Sequence, residues 1–288
     1  MAHTNSPLRY PGGKSALSSY LAEVIKLNGI EGGVYIEPYV GGGGAALNLL
    51  FKGIVSDIII NDFDPVIYAF WHSVLNDTYK FTQRIKEIPL NINEWHKQKE
   101  ILSTYKEHRL FDIGFAAFYL NRCNRSGILK AGPIGGKHQT GNYTLDARFN
   151  RINLIDKILR IGKYKKHITL HHKDAIDFLI KIVPNFDGPK LIYLDPPYYQ
   201  KGGQLYLNAY AHEDHENLAW VLGKESMPDC WVLTYDDSPE IKELYKERKT
   251  STYSLCYSAS HAKKGNELLI TSPSLQLPAE VDTKFVLA

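Results

Sequence analysis

Short apolar runs alternate with segments of helical pattern in the first 65 residues. The run VYIEP at 34–38 contains β-branched residues and leads into glycines followed by good helix formers. The run SDIIINDFDP at 56–65 repeats this order, and its Pro65 suits the first position of the next helix. Strands that alternate with helices in this way predict βαβ units and a parallel sheet.

The middle of the chain loses strand character and then regains it. Residues 66–122 have helical patterns, and the Gly-rich residues 126–150 predict a hairpin or an extended loop with basic tips. Five strand-like runs follow, at 167–172, 190–195, 230–235, 251–258 and 266–272. Because a short polar link joins the last two, we expect an antiparallel hairpin at the end of a mostly parallel sheet.

This order of elements predicts an α/β core that is interrupted by an insertion. The core comprises residues 1–65 and 166–288, and the inserted subdomain comprises residues 66–165. A chain of 288 residues is long enough to bury a substantial apolar interior in this arrangement.

Positive charge is concentrated in one segment of the chain. Residues 121–173 contain twelve Lys or Arg against Asp146 and Asp156, a net charge of +10. Since the whole chain carries +3, the remainder carries −7. The segment also interleaves aromatic residues such as Tyr143 with its cations, which favours nucleic acid as a polyanionic partner. A charged, solvated face is the alternative interpretation.

Composition argues against several other classes of protein. No run approaches the roughly 18 apolar residues of a membrane span, and the start lacks the apolar core of a secretory signal. We therefore expect a cytoplasmic protein. Cys123, Cys230 and Cys256 lack CxxC spacing, which predicts free thiols rather than a zinc site or disulfides. The histidines form no HExxH pattern, so no metal is predicted.

Two features near the start indicate a ligand that carries a nucleoside. Gly41–Gly44 lie between a strand and a helix, where backbone amides can approach a ligand closely. Asp62 ends the next strand, where a carboxylate can accept hydrogen bonds from both ribose hydroxyls. A purely structural turn is the alternative for the glycines, and a helix cap is the alternative for Asp62 or Asp64. In the N-terminal RYPGGKSAL, Lys14 could meet a carboxylate or a phosphate.

The stretch LIYLDPPYYQ at 191–200 is the most specific motif. Asp195 ends a strand at the edge where open parallel sheets bind ligands, and Pro196 and Pro197 stiffen the turn and remove two amide donors. Carbonyl acceptors, a carboxylate and the ring of Tyr198 suit a planar base that presents an exocyclic amino group. A proline turn that merely ends a strand is the structural alternative.

The chain resembles the Dam-related, D12-class (α-group) DNA adenine-N6 methyltransferases, which use S-adenosylmethionine. The resemblance covers nearly the whole chain and is carried by RYPGGK, EPYVGGGGAALN, NDFDP, HKDAIDFL, YLDPPYY and GNELLI in this order. It implies a Rossmann-like class I methyltransferase core with a seven-stranded sheet and a target-recognition subdomain at 66–165. It also implies duplex DNA as the partner and leaves open a cognate restriction endonuclease.

The resemblance implies specific roles for individual residues. Those implied to bind the cofactor are Tyr10, Lys14, Glu37, Gly41, Gly42, Gly43, Asp62, Asp174, Phe178 and Asp195. Among these, Lys14 would lie near the methionine carboxylate, Asp62 at the ribose hydroxyls and Asp174 at the adenine amino group. The implied catalytic residues are Asp195, Pro196, Pro197 and Tyr198. They would hold a flipped target adenine and direct the lone pair of its N6 at the methyl group.

The segment implied to read DNA departs from the family pattern. Relatives carry Asn-Arg-x-x-Tyr-Asn-Gly-Leu-x-Arg, whereas this chain has NRCNRSGILK from Asn121 onward. Asn121 and Arg122 match, but Arg125 and Ser126 replace the Tyr-Asn pair that enters the duplex. Lys130 replaces the Arg that reads guanine, and it lacks the planar fork for bidentate recognition, which puts GATC specificity in doubt. These five residues are the implied DNA-binding set, with Arg122 on a phosphate; loose surface charge is the alternative for Arg125 and Lys130.

Two other interpretations of function stay open. The same fold could methylate cytosine N4 or an adenine in RNA, although the Asp of DPPY favours adenine and the basic insertion favours duplex DNA. The chain could instead be a non-catalytic nucleic-acid-binding module. The presence of Lys14, Asp62 and Asp195 counts against that module.

Overall fold

The computed structural model describes residues 4–9, 17–200, 210–225, 227–228, 230–256 and 264–278. The chain divides into two compact units. The helical unit comprises Met1–Gly13 and Asp64–Leu170, and the sheet unit comprises Lys14–Phe63 and His171–Ala288. The assignment of a catalytic core to 1–65 and 166–288 and of target recognition to 66–165 stays a prediction.

The described strands form one seven-stranded sheet. They are β1 (Val34–Glu37), β2 (Asp57–Asn61), β3 (Ile168–His171), β4 (Lys190–Leu194), β5 (Trp231–Asp236), β6 (Lys249–Cys256) and β7 (Lys264–Thr271). Their order is β3-β2-β1-β4-β5-β7-β6. The β1–β2, β1–β4 and β4–β5 pairs are parallel, whereas β5–β7 and β6–β7 are antiparallel. The predicted mostly parallel sheet with an antiparallel end is confirmed.

The described residues also contain ten α-helices. They are α1 (Ser18–Leu27), α2 (Gly44–Phe51), α3 (Pro65–Asn76), α4 (Thr78–Glu87), α5 (Ile92–Ser103), α6 (Leu110–Cys123), α7 (Arg151–Lys163), α8 (Ala175–Lys181), α9 (His212–Leu222) and α10 (Pro239–Leu244).

The strands of the sheet unit are apolar on both faces because helices pack against them. Ile36, Ile192 and Leu233 lie in a core that also contains residues of α8, α9 and α10. On neighbouring strands, the rings of Tyr35 and Tyr193 stack with their centroids 6.4 Å apart. Burial on both faces explains why these runs are continuously apolar instead of alternating with polar residues.

The order of strands reverses direction between β1 and β4. Chain order runs from β1 through β2 to β3 on one side and from β4 to β5 on the other. In open α/β sheets, ligands bind outside the carboxyl ends of the strands at such a reversal. Glu37 ends β1 and Asp195 directly follows β4, so each of the two strands at the reversal carries a carboxyl group at its carboxyl end.

The helical unit is built around aromatic side chains from several helices. Phe70 of α3 stacks on Phe118 of α6 with centroids 6.3 Å apart, and Phe81 of α4 contacts Phe118 at 5.3 Å. A Cβ added to Gly114 of α6 would lie 2.3 Å from the carbonyl oxygen of Ala69, so glycine is required for α3 and α6 to pack this closely.

Side-chain caps mark where several helices begin. Asp64 accepts from the Val66 amide at 2.8 Å at the start of α3, with Pro65 in the first turn as predicted. Asn91 and Asn150 cap α5 and α7 in the same manner. Each cap satisfies an amide that has no partner within its own helix.

The segment after α6 is an extended loop rather than a two-stranded hairpin. Its pairing consists of an isolated antiparallel bridge between Asn124 and Pro133, followed by turns. The buried side chain of Asn124 holds the loop by donating to the carbonyls of Ile128 and Leu129 at 3.0 Å each. Trp95 of α5 donates to the Asn124 side chain at 2.7 Å, so the loop is anchored to the helices.

Two features are absent from the described residues. No helix in that part of the chain is both long enough and apolar enough to cross a bilayer. No cluster of three or more His, Cys, Asp or Glu side chains suited to a metal ion occurs there either. Cys123 and Cys230 are free cysteines, and the side chain of Cys256 lies outside the described residues.

Candidate active site and nucleic-acid interface

The glycine turn after β1 is fastened by Asp62. Gly41 and Gly43 have φ of 44° and 59°, a left-handed conformation that favours glycine. The Gly41 amide donates to Oδ2 of Asp62 at 2.8 Å, and Gly42 lies between the two glycines. Since Asp64 is the residue that caps α3, the helix-cap alternative applies to Asp64 and not to Asp62.

Glu37 is a buried carboxyl group at the switch point. Its side chain is 4 % exposed, and its Oε2 has no hydrogen-bond partner among the described residues. Burial raises the pKa of Glu37 well above its usual value, and the negative charges of Asp195 and Asp62 raise it further, while the Ala46 amide opposes the shift. A buried polar atom without a protein partner is typical of a position where a ligand or water completes the bonding.

Asp195 is held by a hydroxyl of the neighbouring strand. Thr234 of β5 donates to Oδ1 of Asp195 at 2.9 Å, and the Tyr193 hydroxyl lies 2.9 Å from Thr234 Oγ1. Because the single Thr234 proton is directed at Asp195, the Tyr193 hydroxyl is the donor in the second bond. This chain of hydroxyls fixes one carboxylate oxygen of Asp195.

The rest of the Asp-Pro-Pro-Tyr turn is partly enclosed. Pro196 is buried, and Pro197 and Tyr198 are half-buried. Burial raises the pKa of the Tyr198 hydroxyl well above its usual value, and the charge of Asp195 adds to the shift. Tyr198 therefore stays protonated and presents a neutral ring beside the carboxylate.

Asp236 clamps the backbone that follows this turn. Its Oδ1 and Oδ2 each accept a bond of 2.9 Å, the first from the Tyr199 amide and the second from the Gln200 amide. The Asp236 side chain is 7 % exposed. Thr234 and Asp236 are two residues apart on β5 and therefore lie on the same face of the strand, where both bond the turn after β4. The sequence prediction missed both residues.

A cluster of aromatic side chains surrounds the clamp. The hydroxyls of Tyr39 and Tyr210 lie 2.8 Å apart, and the rings of Tyr199 and His215 have centroids 5.1 Å apart. Nδ1 of the buried His215 lies 2.7 Å from the Tyr235 hydroxyl. Burial lowers the pKa of His215, so the ring is neutral near pH 7.

Asp174 and Phe178 occupy the start and the body of α8. Oδ1 of Asp174 caps the helix by accepting from the Ile176 amide at 2.9 Å and the Asp177 amide at 3.2 Å. The Asp174 side chain is exposed, whereas Phe178 is fully buried in the core. Tyr10 and Lys14, the other two predicted cofactor residues, lie outside the described part of the chain.

Asn121 connects the N-terminal segment to the loop that follows α6. Its Oδ1 accepts from the Arg9 amide at 2.7 Å, and its Nδ2 donates to the carbonyls of Arg9 at 2.8 Å and Gly127 at 2.9 Å. The side chain is buried. A Cβ on Gly127 would lie 2.3 Å from the Arg9 carbonyl oxygen, so the loop approaches this segment too closely for any other residue.

The remaining residues predicted to bind DNA divide by exposure. Arg125, Ser126 and Lys130 are exposed, and Ser126 has a φ of 55° that turns the backbone sharply. Arg122 is half-buried and donates through Nε to the Arg148 carbonyl at 2.7 Å. The structure thus presents three of the five residues to solvent, whereas Asn121 and Arg122 are bonded to backbone carbonyls.

The sheet and its turns define a class of protein. A doubly wound sheet with a glycine turn after β1, an acidic residue after β2 and an Asp-Pro-Pro-Tyr turn after β4 is typical of Rossmann-like methyltransferases. The model of the D12 class N6 adenine-specific DNA methyltransferase family matches residues 10–258. The chain belongs to this family, and the predicted recognition is confirmed.

Individual relatives are distant. The chain is 26 % identical over 208 residues to the Type II methyltransferase M.MjaIII of Methanocaldococcus jannaschii, which covers 66 % of this chain and 68 % of that protein. Among solved structures, this chain matches a Pyrococcus horikoshii protein described as an RNA methyltransferase, with a TM-score of 0.38 and 12 % identity. The match covers 91 % of this chain and 85 % of that protein. A dimethyladenosine transferase from Plasmodium falciparum gives a TM-score of 0.35, 11 % identity and coverage of 88 % and 60 %. Scores this low carry no inference about function.

Proposed function

We propose that this methyltransferase transfers a methyl group from S-adenosylmethionine to N6 of an adenine flipped out of duplex DNA. One observation carries the proposal. Asp195 is fixed by Thr234 at the topological switch point, where the buried carboxyl group of Glu37 has an atom without a partner. Family membership supplies the adenine-specific class of reaction.

The cofactor is proposed to bind at the carboxyl ends of β1, β2 and β3. S-adenosylmethionine supplies an activated methyl group on a sulfonium. Asp62 would accept from the ribose hydroxyls, and its bond to Gly41 keeps the carboxylate and the glycine turn in a fixed relation. Glu37 and Gly41–Gly43 would form the floor, and Asp174 would accept from the adenine amino group beside Phe178. Tyr10 and Lys14 are proposed to line the methionine portion.

The target adenine is proposed to lie against the Asp-Pro-Pro-Tyr turn. The carboxylate of Asp195 and the carbonyl of Pro196 would accept the two hydrogens of N6, while Tyr198 stacks on the ring and Pro197 keeps the turn rigid. These bonds would draw the delocalised lone pair of N6 out of the ring and direct it at the methyl group. Orientation and electrostatics are then the contribution of the protein, and a covalent nucleophile is unnecessary.

Thr234 and Asp236 are proposed as positioning residues. Thr234 would hold the carboxylate of Asp195 in one orientation toward N6 by donating to its Oδ1. Asp236 holds the two amides that follow Tyr198 and so prevents the turn from opening. Neither residue would need to touch the substrate.

The helical unit is proposed to recognise duplex DNA. Exposed Arg125, Ser126 and Lys130 would face the duplex from the loop after α6, since their side chains are in solvent. Asn121 and Arg122 would set the position of this loop through their bonds to backbone carbonyls. A cognate restriction endonuclease remains a proposed partner.

A methylation assay tests the function. Plasmid DNA would be isolated from cells that express the wild-type chain or the Asp195→Ala variant and sequenced at the single-molecule level. We expect N6-methyladenine at a single sequence context with the wild type and background with the variant. N4-methylcytosine, or methylation of RNA alone, would refute the proposed acceptor. Failure to bind S-adenosylmethionine in a titration would instead favour a module that only binds nucleic acid.

A further inference from the structure

Four cationic side chains gather around the N-terminal segment of the helical unit. This cation cluster consists of Arg9, Arg122, Arg148 and Lys157. Lys157 donates to the Ser6 carbonyl at 3.2 Å, and Arg122 donates to the Pro7 carbonyl at 3.4 Å. Arg122 and Lys157 therefore bring positive charge to the short stretch of backbone that precedes Arg9, and the charge of Arg148 acts on both Arg9 and Arg122.

Among the described residues, no carboxylate pairs with the cation cluster. Within the part of the chain that the structure describes, none of the four forms an ion pair, and the side chain of Arg148 makes no hydrogen bond. The partners of the other three are backbone carbonyls, which carry only partial charge. The positive charge of the cluster is thus left to interact with a ligand.

The cations also destabilise one another. Burial, followed by the charge of Arg9, lowers the pKa of Arg122 to about 10. Burial and the charge of Arg122 lower the pKa of Lys157, and burial and the charge of Arg148 lower that of Arg9. A bound anion would relieve this repulsion, because an opposite charge favours the charged form of each group.

The geometry of the donors indicates the class of anion. Arg9 uses only Nη1 and Arg122 uses Nε and Nη1 for the protein's own carbonyls, so each guanidinium keeps N–H groups for another acceptor. Arg148 is exposed, and Arg9 and Lys157 are half-buried, so solvent reaches the cluster. Planar forks beside a lysine suit the two non-bridging oxygens of a phosphodiester.

We propose that the cation cluster is a phosphate-binding site that grips the backbone of duplex DNA. It adds Arg9, Arg148 and Lys157 to the residues expected to contact DNA, and it gives the N-terminal segment a role in binding. The inference rests on the proposed function for the identity of the polyanion. The site itself requires only a phosphate.

The test measures how DNA affinity depends on salt. Arg148→Gln removes a charge without removing a hydrogen bond, and Arg148→Lys keeps the charge. Lys163→Gln is the matched control. Lys163 lies on α7, as Lys157 does, but it is exposed and makes no bond within the described residues. Binding of a fluorescent duplex would be followed from 50 to 400 mM KCl, on the order of the range where counterion release dominates.

We expect Arg148→Gln to lower the slope of log K against log salt by about 0.9, the value for one phosphate. This corresponds to a loss of about fivefold in affinity near 0.15 M salt relative to a 1 M reference. Arg148→Lys should restore the slope, and Lys163→Gln should leave it at the wild-type value. If Arg148→Gln and Lys163→Gln change the slope equally, the cluster is not a phosphate site.

A second arm uses inorganic phosphate alone. At constant ionic strength, phosphate should raise the melting temperature of the wild type above its value in chloride, and Arg148→Gln should reduce that difference. A shift from free phosphate without any change in the DNA slope would overturn the assignment to a DNA backbone. If the proposed function is wrong but the phosphate site is real, the wild type will transfer no methyl group. The slope of its log K against log salt will still depend on Arg148.

Discussion

The two units stabilise concentrations of like charge in opposite ways. At the sheet edge, Asp62 and Asp236 accept from backbone amides at 2.8 and 2.9 Å, and Asp195 accepts from a hydroxyl at 2.9 Å. In the cation cluster, long side chains reach carbonyls at 2.7–3.4 Å. The carboxylates are short side chains on or next to strands, so their positions are fixed by the backbone.

This difference bears on what each region can do. A carboxylate held by a rigid donor has one geometry, which is what a reaction that aligns a lone pair requires. Arginine and lysine on flexible stems can adjust to a phosphate whose position varies with DNA sequence. Substitutions that keep the shape of a carboxylate but remove its charge should therefore impair the reaction. Substitutions in the cation cluster that keep the positive charge should preserve DNA binding.

The largest effect is expected at Asp195. Asp195→Ala should lower the rate of methyl transfer by about 1,000-fold or more, since it removes the acceptor for N6 at the reacting centre. Folding and most of the DNA affinity should remain, because phosphate contacts dominate that affinity. The checks are single-turnover transfer of a labelled methyl group and a DNA-binding titration. Retention of more than a few per cent activity, relative to about 100 % for the exposed control Asp187→Ala, would contradict this role.

Asp236→Asn is expected to have the next largest effect. One amide N–H would face the NH₂ of asparagine, so kcat should fall by about 10- to 100-fold, the scale of one charge-assisted bond. Asp237→Asn is the matched control, since Asp237 forms an ion pair with Lys242 at 2.6 Å and surface ion pairs contribute little to stability. Equal kcat for the two variants, at equal melting temperature, would show that the clamp does not position the turn.

Asp62→Ala should weaken cofactor binding by about 1.5 to 3 kcal/mol, the scale of lost bonds to a charged group. Asp64→Ala provides the comparison, because it removes a helix cap and should cost about 1 kcal/mol of stability without changing cofactor affinity. Calorimetric titration with S-adenosylmethionine, together with thermal unfolding, separates the two. If both variants lose stability and neither changes its affinity for S-adenosylmethionine, Asp62 only stabilises the glycine turn.

The smallest effect is expected in the exposed loop of the helical unit. Lys130→Ala should cost about 1 to 3 kcal/mol on the true recognition site and little on unrelated DNA, since Lys130 stands where relatives read a base. Lys137→Ala removes another exposed charge from the same loop and should act equally on all sequences. Competition binding with the methylated site and a scrambled duplex measures both. If Lys130→Ala lowers affinity equally for the recognition site and for the scrambled duplex, base recognition lies elsewhere in the helical unit.

Local sequence patterns predicted the strands and the turns that follow them. Periodicity and β-branched residues identify β1 to β7, of which β1, β2, β4 and β5 are almost wholly buried. Gly41 and Asp195 follow from chemistry within a few residues. Thr234 and Asp236 were missed because β5 has the pattern of a buried strand, and their partners lie 36 to 39 positions away in the sequence. Polar residues spaced by two at a strand end were the available signal.

The cation cluster could be predicted only as excess charge. The sequence places positive charge between 121 and 173, but it does not show that Arg9 joins this charge from more than 100 positions away. Nor does it distinguish exposed Arg125 from half-buried Arg122 three residues earlier, since that difference depends on how the loop packs on residues 6–9.

The order β5-β7-β6 has a consequence for synthesis on the ribosome. β7 is the last of the described strands in sequence order, yet it lies between β5 and β6 and supplies the pairing of β6 to the sheet. Glu267 of β7 also bonds Tyr253 of β6, and both influence the Tyr198 hydroxyl. A nascent chain that has released only β1 to β6 therefore cannot complete the surroundings of Tyr198. Because domains generally fold as units during synthesis, we expect the surroundings of Tyr198 to form only after β7 has left the ribosome.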